Sequence, residues 1–359
     1  MRLLIAVDPT RIIYLKKFCE ELSKFSIETK IISEFDIYDD TFSSQKYFKW
    51  LQIPNNLKKL IKDFNPDLVF TERVGYFSSC ILKLKIPLII FLRGDYWREI
   101  NFAKNSPDFS ITEKFSIKTK RRIAEKCFKD STLILPICNY LKNIVNTNYS
   151  NKSVHVLYQG IDFDNWFSEN GKKLQHPCVG IIQDSNLWEK TKELLILPEI
   201  LEKCKDTHFY WIGDGQYTSK ILAKLEKYSN FHWLGRLNFP NAVRQFLTEI
   251  DIYCLISGID MSPHTILEAS IMKKPILASN VGGVSESIKN NKTGILIDKG
   301  DTSSWITNIQ NLIHHPERRS EMGNAGYDFV KQNFSWEKIT ENFVSILKKE
   351  ITSKNQSTQ

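Results

Sequence analysis

Short apolar runs alternate with segments of helical periodicity along nearly the whole chain, and this restricts the fold more than any other feature of the 359 residues. Strand-like runs fall at 2–7, 27–33, 67–71, 87–92, 132–137 and 153–157 in the first half. In the second half they fall at 178–182, 208–212, 230–234, 251–256, 275–279 and 294–297. Between them apolar residues recur at helical spacing, as in Leu15, Phe18, Cys19, Leu22 and Phe25. Helices are also expected over 193–201 and 265–272. Short strands separated by helices imply parallel sheets covered on both faces. The length exceeds one ordinary core, so two doubly wound α/β domains in tandem are expected, facing across a cleft. Their join is placed within 160–175, where apolar periodicity lapses into Asn, Ser, Gly and Lys. A last helix is expected over 336–351, with Ile339, Phe343, Ile346 and Leu347 on one side; the polar stretch 352–359 is expected to fray.

Composition excludes several classes. With 42% hydrophobic and 25% charged residues the chain is of ordinary globular type, and no apolar run is long enough to span a membrane. The opening run breaks at Asp8-Pro9 and reads as a first strand, not as a signal peptide. The seven cysteines are odd in number and form no CxxC pair, which suits free buried thiols in a reducing, cytoplasmic setting. Charge is uneven: residues 1–165 carry 26 Lys and Arg against 19 Asp and Glu, so nearly all of the net +8 lies in the first half. Its densest part, 112–130, places Lys114, Lys118, Lys120, Arg121, Arg122, Lys126 and Lys129 around a stripe of Phe115, Ile123, Ala124, Cys127 and Phe128. Such a helix suits an anionic membrane surface, or simply a solvated helix with its stripe in the core. No zinc knuckle or aromatic RNA-binding signature accompanies it, so nucleic acid is not an expected partner.

The chemistry-bearing stretch is Asp260-Met261-Ser262-Pro263-His264-Thr265-Ile266-Leu267-Glu268-Ala269, followed by Pro275-Ile276 and Gly282-Gly283. It sets one carboxylate in a loop and another, eight positions on, inside an apolar helix. A carboxylate in a buried helix is costly unless it meets a hydrogen-bonding partner. The hydroxyls of a sugar nucleotide are one such partner, and a cap or pair within its own domain is the other. A Gly-Gly turn can bring backbone N–H groups close to a phosphate or hydroxyl.

Together these residues resemble the retaining glycosyltransferases of family 4, which have the GT-B fold. Asp260, Glu268-Ala269, Pro275-Ile276, Gly282-Gly283 and Glu286 match the Glu-x7-Glu block of that family with the glycines and glutamate after it. Gly213-Asp214-Gly215 is similar to its "GDGP" turn, Tyr158-Gln159-Gly160-Ile161-Asp162 to its "NGID", and Phe334-Ser335-Trp336-Glu337 to the start of its C-terminal helix. The resemblance implies an acceptor-binding Rossmann-like domain over 1–162 and a nucleotide-sugar-binding one over 163–333. A helix over 334–351 would cross back to the first, followed by a flexible tail, 352–359. It implies transfer of a sugar, with retention and without a metal, from a UDP- or GDP-sugar to a glycan, lipid-linked or small-molecule acceptor hydroxyl. The setting would be surface polysaccharide or glycoconjugate synthesis, in the cytoplasm or at the inner face of the membrane.

The same resemblance implies roles residue by residue. Lys190, just before a helix, aligns with the phosphate-binding lysine of the family. Glu268 would hold the ribose, and Asp260 would approach the donor sugar. Gly282 and Gly283 would supply backbone donors, while Gly213, Ile266 and Leu267 would line the nucleotide site. The departures are pointed. Asp260 is one methylene shorter than the usual Glu, Ile181 stands where an arginine is usual, and Asp8-Pro9-Thr10-Arg11 replaces a glycine-rich loop. No histidine precedes His155; where a His-Gly pair would fall, the chain reads Arg93-Gly94-Asp95. Arg93 is expected to contact donor phosphate and Asp95 to orient a hydroxyl, the alternative being ion pairs that merely fix the loop. Asp162-Phe163-Asp164 has the form of a metal-chelating DxD, but its place at the interdomain crossing fits a hydrogen-bonded turn. The missing groups leave a second reading open, a catalytically silent sugar-nucleotide-binding or scaffold partner of an active glycosyltransferase.

Overall fold

The computed structural model describes residues 1–33, 36–37, 52–72, 74–105, 111–171 and 173–356. The chain divides into two units, Met1–Gly160 with Ile339–Gln359, and Ile161–Lys338.

The first unit is built on β1 (Arg2–Val7), β2 (Glu28–Ser33), β3 (Leu68–Thr71), β4 (Leu88–Leu92) and β5 (Leu133–Pro136). They form one parallel sheet in the order β2-β1-β3-β4-β5. β3, β4 and β5 are buried at every position, as continuous apolar runs covered on both faces must be. The expected sixth strand, 153–157, does not form; it leaves one isolated bridge, Ile134 to Val154. Ile134 N–H donates to Ser153 and His155 N–H donates to Ile134, but the next rung would need an N–H from Pro136. Proline has none, so that rung is missing, and although Leu157 N–H still donates to the Pro136 carbonyl at 3.0 Å no continuous strand forms.

The helix Trp336–Gln356 completes this unit. Its Phe343 ring lies edge-on to Phe18 at 5.4 Å and to Phe70 at 5.9 Å, and its Glu350 accepts from the Ser153 hydroxyl at 2.6 Å. It continues beyond 351 to Gln356, since neither glycine nor proline interrupts it. The basic helix Ile111–Asp130 turns Ala124, Cys127 and Phe128 into the core, with Phe128 stacked on Trp97 at 5.1 Å. Ala124, Cys127 and Phe128 are therefore taken up by this unit's own interior, while Arg121, Arg122, Lys126 and Lys129 stay exposed.

The second unit contains β6 (Cys178–Ile182), β7 (His208–Ile212), β8 (Phe231–Gly235), β9 (Ile252–Leu255), β10 (Ile276–Ser279) and β11 (Ile295–Ile297). All six expected runs become strands of one parallel sheet, in the order β11-β10-β9-β6-β7-β8. The helix expected over 193–201 is broken into Trp188–Thr191, a 3-10 turn at Lys192–Ile196, and Leu197–Lys203. Pro198 has no N–H and fits only the first turn of a helix, so a new helix starts there. Trp211 and Trp305 are fully buried at the centre of this core.

In both sheets the strand order reverses next to the first strand of the unit, between β1 and β3 and between β6 and β9. At such a switch point the connections leave in opposite directions and open a crevice at the carboxyl ends of the strands. Among the described residues no helix is long and apolar enough to cross a membrane.

Candidate functional site

The switch point of the second unit collects most of the residues singled out in the sequence. Lys190, in the short helix after β6, donates from Nζ to Oδ2 of Asp260 at 2.5 Å; Asp260 lies in the loop after β9. The second Asp260 oxygen accepts the Met261 N–H at 3.0 Å, which fixes the carboxylate plane. Glu268 follows in the helix His264–Ile271 and is only 3% exposed. Tyr253 of β9 donates to the Thr265 hydroxyl at 2.6 Å. Burial, aided by the negative fields of Glu268 and Asp260, holds that phenol protonated well above its usual range. Gln183, at the end of β6, reaches the Lys190 carbonyl at 3.4 Å; its own Oε1 is buried with no partner among the described residues.

Glycines bring these loops together by close backbone approach. A Cβ on Gly282, whose φ is +55°, would stand 2.0 Å from the Asp260 carbonyl oxygen. On Gly258 it would stand 2.0 Å from the Glu189 carbonyl, and on Gly213, with φ of +146°, 2.0 Å from that of Gln183. These contacts bear on the backbone donors expected at Gly282 and Gly283. Gly283 N–H is taken by the Asp260 carbonyl at 3.0 Å and Gly213 N–H by that of Gly235 at 2.9 Å, so neither amide is available to a phosphate. What the glycines supply is proximity. Ile266 and Leu267 are fully buried, so their side chains are core, and the Ile266 N–H is held by Pro263. Ile181, where the resemblance leads one to look for an arginine, is also fully buried.

Asp214 accepts the Gly215 N–H at 2.7 Å and the Thr218 hydroxyl at 2.9 Å, and these bonds hold its carboxyl below the usual range. Asp162 likewise makes a turn, accepting the Asp164 N–H at 3.1 Å and the Asn165 amide at 2.9 Å.

Arg93 and Asp95 belong to the first unit, at the end of β4. Asp95 is 8% exposed and accepts the Arg98 N–H at 3.0 Å, which caps the helix Tyr96–Asn105. Arg93 does not pair with it. Its Nη1 lies 3.5 Å from Oε2 of Glu72, after β3, and Arg11, after β1, approaches the same oxygen at 3.7 Å. Reading along the chain named Arg11 only within the stretch that replaces a glycine-rich loop, and it missed Glu72, which has no neighbouring motif to mark it.

One grouping of metal-ligand type occurs among the described residues, His176, Cys178 and Asp251. Asp251 already accepts the Cys178 N–H and faces His176 Nδ1, each at 2.8 Å. Burial and the Asp251 charge push the Cys178 thiol up to about 12, which suits a protonated core cysteine better than a thiolate ligand. The grouping sits at the start of β6, the opposite end of that strand from Lys190.

Two Rossmann-like sheets, the first closed by a returning C-terminal helix, and a charged switch point on the second define a GT-B-fold protein. Residues 162–329 match the family model of "Glycosyl transferases group 1". An uncharacterized glycosyltransferase of Methanocaldococcus jannaschii is 27% identical over 290 residues, covering 78% of this chain and 75% of its own. Sucrose-phosphate synthase from Thermosynechococcus elongatus superposes with a TM-score of 0.76 over 98% of this chain and all of that one, at 11% identity. Anabaena HepE, solved in complex with UDP-glucose, superposes with a TM-score of 0.68 over 97% of this chain and all of that one, at 14% identity.

Proposed function

We propose that this protein is a retaining glycosyltransferase that moves a sugar from a nucleotide-diphosphate sugar to an acceptor hydroxyl. The observation that carries the reading is the Lys190–Asp260 pair beside buried Glu268 at the switch point of the second sheet. Breaking the bond between the anomeric carbon and the diphosphate leaves negative charge on phosphate and positive charge on the sugar ring. A fixed ammonium stabilises the phosphate charge as it develops, and it acts most strongly in a site shielded from water. Donor phosphate would compete with Asp260 for Lys190 and turn the carboxylate toward the donor sugar. Glu268 would accept hydrogen bonds from the ribose hydroxyls, an interaction that offsets the burial of a carboxylate in a helix. The acceptor hydroxyl attacks from the face of the leaving group, and a diphosphate oxygen takes its proton. No enzyme carboxylate forms a bond, and no step requires a metal ion.

The UDP-glucose complex of HepE supports a UDP-sugar as the first donor to try, with GDP-sugars in the same panel. The first unit would bind the acceptor, a glycan or lipid-linked hydroxyl. Its basic flank around Lys118, Lys120, Arg121 and Arg122 suits an anionic membrane surface in a cytoplasmic, peripheral setting. Calorimetry of wild type and Glu268→Ala against UDP- and GDP-sugars, with nucleotide release followed in the same samples, tests the reading. Selective binding of one donor with slow release is expected, and Glu268→Ala should bind at least tenfold more weakly, about 1.4 kcal/mol. Binding with no release, even when membrane extract supplies acceptors, would favour the catalytically silent partner, a reading supported by the absence of any histidine before His155.

A further inference from the structure

The switch point of the first sheet carries a charge cluster that the proposed transfer does not use. Arg11, Glu72 and Arg93 come from the loops after β1, β3 and β4. Both guanidinium groups lean on a single oxygen, Oε2 of Glu72, at 3.7 and 3.5 Å, and that carboxylate is 4% exposed. Two cations therefore share one anion in a largely buried place. Their donors are under-used: Arg11 Nε and Nη2 and Arg93 Nε are buried without a hydrogen-bond partner among the described residues, as is Oε1 of Glu72. Tyr14 lies under the Arg11 guanidinium at 4.6 Å, and Asp8 is engaged by the Thr10 N–H and hydroxyl.

A cluster that served only to fix a loop would balance its charges and fill its bonds, since a buried unmatched cation is expensive. Burial, and then the like charge of Arg93, pulls the Arg11 guanidinium down to about 10, so the charged form lacks stabilisation where it stands. A planar fork of N–H donors with spare capacity is the side chain that binds oxyanions best. The carboxyl end of a doubly wound sheet at its strand reversal is the place where such ligands bind.

We propose that Arg11 and Arg93, gathered by Glu72, form an oxyanion site of the first unit that takes a phosphoryl group of a substrate. The site uses other residues than the Lys190 site and deepens the transferase reading, on which it rests only for the identity of the substrate. The phosphoryl group comes either from a phosphorylated acceptor or from the donor diphosphate, and the two sources are separable.

The probes are inorganic phosphate and UDP, applied to the full chain. Millimolar phosphate should raise the melting temperature of wild type by about 2 °C or more. Arg93→Gln, at the more exposed arginine, should abolish that rise, as should Arg11→Gln if it folds. Glu72→Gln should enlarge it, because it removes the carboxylate with which phosphate competes. A purely structural network would not produce these opposite signs. An equal rise in wild type, Arg11→Gln and Arg93→Gln, or one that vanishes only in Lys190→Met, overturns the proposal. UDP affinity then assigns the source. If it is unchanged in Arg93→Gln, the acceptor brings the phosphoryl group; if it falls about tenfold, the donor does. Should no sugar nucleotide bind at all, the transferase reading fails while the phosphate measurements still report on the cluster.

Discussion

The two switch points offer the same topological opportunity and meet it with different materials. In the second unit the site is shaped by backbone. Gly213, Gly258 and Gly282 each let one loop press against the carbonyl of another, and Lys190 there is paired directly with Asp260. In the first unit the loop after β1 contains no glycine, Gly75 has nothing within 4 Å, and a Cβ on Gly94 would meet only the Glu99 side chain. There the site is made of side chains, two cations on one carboxylate. Backbone packing gives the second site a fixed shape around a paired lysine; side-chain packing in the first leaves two cations on one carboxylate, and with them a demand for a ligand.

The contrast can be broken by experiment. The largest effect is expected at Lys190. Lys190→Met strands a mostly buried carboxylate and removes the phosphate counter-charge, so turnover should fall by roughly 10²–10³ with a smaller change in donor affinity. Unchanged turnover would deprive the second switch point of its chemical role. Next comes Gly282→Ala. Its φ of +55° and the 2.0 Å approach to Asp260 should cost about 2 kcal/mol or more in denaturant unfolding. Gly300→Ala, with φ of +81° in open space, should cost only about 1 kcal/mol. Equal losses would show that close approach is not what the glycine provides.

A smaller effect lies away from both sites. His232 stacks on Tyr210 with centroids 4.6 Å apart, and burial, then His208, lowers its pKa from 6.5. The unfolded chain therefore takes up the proton first as pH falls through 6.5, and the folded state loses stability down to the lowered native value. His232→Gln should flatten the stability profile at and below about pH 6.5, as followed by melting temperature. A profile as steep as that of wild type would assign the slope elsewhere. The smallest expected effect is none: transfer should persist in EDTA, and a strict need for manganese or magnesium would contradict the scheme.

How legible each region is in the sequence depends on the same contrast. Strands buried on both faces announce themselves as apolar runs, which is why all six of the second sheet are found near their expected positions. The run at 153–157, Ser153-Val154-His155-Val156-Leu157, also reads as a strand but lies beside Pro136, and a missing N–H on a neighbouring strand leaves no trace in the run itself. The second switch point is readable because glycines and carboxylates recur at short spacings between Asp260 and Gly283. The first is not, because Arg11, Glu72 and Arg93 are scattered and meet only when three loops converge. The role assigned to Gly282-Gly283 shows the limit of a motif. Composition shows that backbone comes close there, and only geometry shows that the Gly283 amide is already occupied.

The return of the helix Trp336–Gln356 to the first unit sets an order of events on the ribosome. Residues 1–160 emerge before 161–338 but lack Phe343, which packs against Phe18 and Phe70, until the helix Trp336–Gln356 has been made. Residues 161–338 form an uninterrupted unit and can close while the earlier one still waits. The usual expectation that N-terminal domains finish first is thereby reversed. The unit that begins upstream is thus sealed after the one that follows it, and a nascent chain halted near residue 338 would carry a closed second unit attached to an open first one.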